Sequence, residues 1–170
     1  MKHLIMPLCA LLLASGSGHA ATPVARPYAG TSTAPAVDRE MQDLANQVIA
    51  LINVQRQQVG CPPVRPNRIL TVAAHRQSDD MASHHELRHE SSDGKQLGPR
   101  LDDVGYVYQN AAENVAAGQM TAPEAVRGWM NSPHHRVNIV DCALRETGVA
   151  IARSTDEYEL YWTQIFGTLL

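Results

Sequence analysis

Through Met41, Leu44, Val48, Leu51 and Ile52, apolar residues recur at three- and four-residue spacing, and Gly60 follows as a stop. This spacing predicts an amphipathic helix from Asp38 to Val59. The segment CPPVRP cannot continue it, because its three prolines remove donors and fix the backbone. A second helix is predicted from a cap at Asn67 to about His84, with Leu70, Ala73, Ala74, Gln77 and Met81 on one face. ESSDGKQLGP is turn chemistry throughout, so a helix carrying His85 should not pass His89. A short helical turn fits Leu97 to Val104, closed by Gly105. Thr121-Ala122-Pro123-Glu124 is a capping box that opens a helix to Asn131, and Pro133 ends or redirects it. The period then changes. GVAIAR and YELYWTQIFGT, separated by STDE, are rich in β-branched and aromatic residues and predict an antiparallel hairpin. The class is α+β, with helices early, strands late and no internal repeat.

Composition changes this picture mainly at the N-terminus. MKHLIMPLCALLLASGSGHA has a positive start at Lys2, an apolar run from Leu4 to Ala14 and a small residue, Ala20, suited to cleavage. Residues 1–20 are therefore expected to be a signal peptide, too short to anchor the chain in a bilayer, and the protein to be secreted or periplasmic. Residues 21–37, rich in Pro, Ala and Thr, read as a flexible leader, and 38–170 as a single domain. Without Lys2, 13 basic residues stand against 17 acidic ones, a formal net of −4. No basic stripe suggests nucleic acid, no span suggests a membrane, and the domain is expected to act as a monomer.

Once Cys9 leaves with the signal, two cysteines remain in a chain sent to an oxidising compartment. Cys61 and Cys142 are expected to be bonded, which the chain-entropy account values at about 4.5 kcal/mol.

His85-Glu86-Leu87-Arg88-His89 spells H-E-x-x-H, a zinc-peptidase signature that needs both histidines on one helical face. Glu113 lies 24 residues after His89, within range for a third ligand. Against this hydrolase reading stand the flanking Arg88 and Glu90, the helix-breaking Ser91-Ser92-Asp93-Gly94, and a chain with eight histidines, which raises the rate of chance matches.

LINVQRQQVGCPPV, ILTVAAHRQSDDMA, LRHESSDG, RLDDVGY, AAENVAAG, GWMNSPHHRVNI, ETGVAIA and YWTQIFG occur in that order. Together they resemble the CAP superfamily (cysteine-rich secretory proteins, antigen 5 and pathogenesis-related proteins) in its bacterial branch. That resemblance implies an α-β-α sandwich, a small antiparallel sheet between helical layers around an open cavity. It also implies that His89, Glu113 of the Glu-Asn pair and His135 of Ser-Pro-His-His face that cavity, while His85 and Glu86 do not. Two features of animal and plant members are missing: Tyr161 stands where they carry a second histidine, and Ser132 where they carry a second glutamate.

Two imidazoles and a carboxylate could hold zinc or another divalent cation, or a small polar ligand. They could equally be structural, with Glu113 joining two loops. A non-catalytic module for a lipid or cell-envelope component is the reading from another class. Trp129, Trp162 and Phe166 are read as core, Asn114 and Asn138 as loop staples, and Arg136 as one half of a salt bridge.

Overall fold

The computed structural model describes residues 34–170, with side chains from Asp38 onward. The expected signal segment, and the leader up to residue 33, lie outside the described residues. Helix α1 (Ala34–Gln58) starts four residues before the predicted Asp38, so the end of the expected leader is helical. Pro35 is compatible with this because proline is tolerated in a first helical turn.

Strand β1 (Arg65–Pro66) leads into α2 (Arg68–His84), whose cap Asn67 accepts from the amides of Ile69 and Leu70. There follow α3 (Leu97–Asp102), β2 (Tyr108–Ala117), α4 (Ala122–Asn131), α5 (Pro133–Ile139), β3 (Glu146–Arg153) and β4 (Leu160–Leu169). The capping box at Thr121 and Glu124 forms as predicted. Pro133 redirects the chain rather than ending helicity, occupying the first turn of α5 after Ser132.

The sheet runs β1-β3-β4-β2, antiparallel except for the short β1–β3 pairing. Alternate residues of each strand serve opposite layers. Val149, Ile151, Trp162 and Phe166 pack with Met41, Val48, Ile52, Val126 and Trp129 of α1 and α4. Ala150 and Ile165 pack with Leu70, Ala73 and Ala74 of α2 and Leu101 of α3. The expected α-β-α sandwich is therefore present, and Trp129, Trp162 and Phe166 are core as read. At Gly148 helix α2 presses directly on β3: a Cβ there would overlap the Leu70 and Thr71 backbone.

Two devices tie α1 to the far end of the chain. Cys61 and Cys142 form the expected disulfide, closing a separation of 81 residues. Beside it the fully buried Arg56 donates to four main-chain carbonyls: Pro62, Ile139, Asp141 and Leu144. No described helix is long and apolar enough to cross a membrane.

Candidate functional site

The candidate site is built on β2, the edge strand that carries Glu113. Within β2, Ala112 and Ala116 pack into the α1/α4 layer and Ala111 and Val115 into the α2/α3 layer, so Glu113 points to the α2/α3 side. Its side chain is only 3% exposed. A carboxylate so placed requires partners.

It has two. The Nδ1 of His89 lies 2.9 Å from Glu113 Oε1. Arg100 Nη2 donates to the same oxygen at 2.9 Å, pairs with Oε2 at 2.8 Å and donates to the His89 carbonyl at 3.0 Å. One guanidinium nitrogen thus fixes both the carboxylate and the loop that delivers His89. With Nδ1 facing a carboxylate, the neutral imidazole carries its proton there and keeps Nε2 as the free lone pair. The His89 side chain is 52% exposed, so this nitrogen is accessible.

His135 comes from the first turn of α5 and is half-buried. Burial holds its pKa below the ordinary imidazole range, and the charges of His89 and His134 lower it further. His135 is thus within electrostatic reach of His89, but it hydrogen-bonds neither His89 nor Glu113 among the described residues. Asn138, one turn further along, donates to the Glu113 carbonyl at 3.2 Å and to Asn114 Oδ1 at 2.9 Å, pinning α5 to β2 as a staple. Trp129 Nε1 does the same for α4 through the Val115 carbonyl.

The H-E-x-x-H segment does not form a zinc helix, which corrects the peptidase reading. Helix α2 ends at His84, and His85 adopts a left-handed conformation with φ of 56°. The amides of His85 and Glu86 both turn back to the Met81 carbonyl, a helix-closing arrangement. His85 then reaches toward the β3–β4 connection, 2.9 Å from Ser154 Oγ and 3.2 Å from Asp156 Oδ2, whereas His89 turns to β2. Glu86, the would-be general base, is exposed and paired with Arg88. Only His89 of that motif belongs to the site.

Arg100 already pairs with Glu113, so a cation at this carboxylate would meet a resident positive charge. Among the described residues, no three His, Cys, Asp or Glu side chains gather as a metal-holding group. Of the three expected ligands, the two imidazoles remain available, and Glu113 acts as the group that orients one of them.

Arg100 escaped the sequence reading. Its signal was positional: it lies three residues after Leu97 and four before Val104, on the apolar stripe of the predicted short helix. Arg136, expected in a salt bridge, is exposed and forms none among the described residues.

Residues 49–166 match the model of the cysteine-rich secretory protein family. Over 136 residues the chain is 31% identical to YkwD of Bacillus subtilis, covering 80% of this chain and 51% of that protein. YlbC, a membrane protein of the same organism, is 30% identical over 120 residues, 71% of this chain and 33% of that one. The chain thus spans between a third and about half of the length of these relatives. An extracellular protein containing an SCP domain from Bacillus anthracis superposes with a TM-score of 0.72 at 27% identity, covering 82% of this chain and 45% of that one. An outer surface protein of Borrelia burgdorferi gives 0.70 at 15% identity over 76% and 96%, a likeness of fold alone.

Proposed function

Because the chain belongs to the cysteine-rich secretory protein family, we propose that it is an exported, monomeric binding module whose His89 and His135 imidazoles hold a divalent cation or a small polar ligand without catalysing a reaction. The observation that carries this reading is the His89 Nδ1 contact to Glu113, a carboxylate already neutralised by Arg100. Such a pair fixes the ring and its tautomer and presents Nε2 outward, the orientation imidazole ligands adopt in carboxylate–histidine–metal arrangements. The same pairing supports a non-catalytic role. Glu113 is ion-paired with Arg100 and Glu86 is exposed and paired with Arg88, so neither carboxylate is placed as a general base. Export, with cleavage near Ala20, rests on the apolar N-terminal run.

Zinc titration by calorimetry at about pH 7.5, where imidazole is neutral, tests the reading. Binding is expected in the parent and in His85→Ala, and is expected to be lost in His89→Ala and His135→Ala. Zinc affinity that survives in His89→Ala, or that falls in His85→Ala, sinks the assignment. A parent that binds no zinc removes the cation form of the proposal and makes the histidines structural.

A further inference from the structure

The edge of the sheet opposite β2 is open. Strand β1 covers β3 only at Glu146 and Thr147, because the chain turns into α2 at Asn67, whose amide bonds the Thr147 carbonyl at 2.8 Å. Beyond that point β3 pairs with β4 alone, in regular register to Arg153. The Ser154 amide bonds the Glu159 carbonyl on the β4 side, so Ala150 and Ala152 face β4. The alternate residues Val149, Ile151 and Arg153 turn amide and carbonyl away from it, and among the described residues none of those groups has a partner.

This edge is the floor of a groove. Two cavities of about 430 and 390 Å³ share Asp79, Ala152 and Arg153, and so run together between α1 and α2 to the β3–β4 connection. Val149 and Ile151 are buried through their side chains in the α1/α4 layer, whereas Ala150 faces α2. A cavity lined by every residue from Val149 to Arg153 therefore follows the main chain rather than either face of the strand. Edge main chain left open in this way is a template for another strand. Asp38 of α1 and Asp79 of α2 flank the groove, are exposed and form no ion pair among the described residues, while Arg153 is neutralised by Glu40 at 2.7 Å. The edge is recessed between helices, so the equally recessed edge of a second copy cannot reach it, whereas a single extended segment can.

We propose that an extended segment of a partner protein, carrying lysine or arginine, docks in this groove as an added strand beside β3. Its main chain pairs with Val149, Ile151 and Arg153, and its cations meet Asp38 and Asp79. The surface shares no residue with the imidazole site and does not depend on it.

The test titrates the full chain with the end-blocked peptide Lys-Val-Thr-Val-Lys-Val-Thr and follows amide hydrogen exchange by NMR. In the free chain the Val149, Ile151 and Arg153 amides should exchange at least about tenfold faster than those of Ala150 and Ala152. The peptide should protect them saturably, with a Kd of about 10–100 μM. Methylating two adjacent central amides of the peptide, one of which faces β3 in either register, should weaken binding at least about tenfold. Glutamate in place of both peptide lysines, or Asp79→Lys in the protein, should weaken it at least about threefold. The proposal is overturned if the three amides are as protected in the free chain as their neighbours, because another segment or a second copy then already covers the edge. It also fails if no protection appears by about 1 mM peptide, if the methylated peptide matches the parent, or if the charge changes leave binding unaltered.

Discussion

Replacing Arg56 by Met tests how much a single buried cation contributes to holding the C-terminal half of the domain on α1. The guanidinium is fully buried and donates to Pro62 O at 2.9 Å and to Ile139, Asp141 and Leu144 O at 2.8 Å each. Methionine matches its stem and supplies no donor, so four carbonyls lose their partner. At about 1 kcal/mol for each acceptor left unmade, two of them buried and two part-buried, the loss is at most about 4 kcal/mol. Removing the buried cation returns part of its desolvation cost, so a net destabilisation of about 3–4 kcal/mol is expected. For a domain of this size that corresponds to a fall in Tm of roughly 10–15 °C. Urea unfolding with the disulfide intact reads the free energy, and calorimetry reads the Tm. Arg56→Lys keeps the charge on one nitrogen with three donors, so it should fall between parent and Met. The Ile139 and Asp141 carbonyls bracket the end of α5, so Arg56→Met should also weaken ligand binding at His135. A Met variant within about 1 kcal/mol of the parent would refute the claim that these four bonds hold the C-terminal half in place.

Glu113→Gln keeps the shape of the site while leaving Arg100 without a counter-charge. Destabilisation of about 3 kcal/mol is expected from urea unfolding, with at least about tenfold loss of zinc affinity by calorimetry as His89 loses its orienting partner. Asp80 supplies a pH dependence. Burial pushes its carboxyl up, but hydrogen bonds from the Ser92 hydroxyl and amide and from Arg88 outweigh that and hold it below the ordinary carboxylate range. Its contribution is therefore present above the unfolded-state value of about 3.8 and is lost as pH falls through the lower folded value. The urea midpoint of the parent should drop on acidification below about pH 4 more steeply than that of Asp80→Asn, and identical profiles would remove Asp80 from the account.

Helices α2 and α4 were legible because each carried its own punctuation: Asn67 and the Thr121–Glu124 box cap them in the structure as the residues alone require. The hairpin of β3 and β4 was legible from its β-branched and aromatic run. Strand β2 was not. Its sequence, YQNAAENVAA, holds one β-branched residue and much alanine, so local preference is silent, and the strand exists because β4 pairs with it from Tyr108 to Ala117. For the same reason the site was only half visible. Spacing and resemblance named His89, Glu113 and His135, but a pattern of residue types does not say which cation a buried carboxylate will accept.

What the sequence determined by itself is chiefly what depends on near neighbours, the helix starts and stops and the hairpin, together with the pairing of Cys61 with Cys142. The tertiary structure alone decided that, beyond the end of α2, His85 turns to the β3–β4 connection and His89 to β2. It also decided that Arg100 neutralises Glu113 and that Arg56 joins α1 to the carbonyls around α5. Those outcomes come from desolvation. A charge taken out of water must find its partner wherever the folded chain places one, and the partners here lie 6 to 88 residues away.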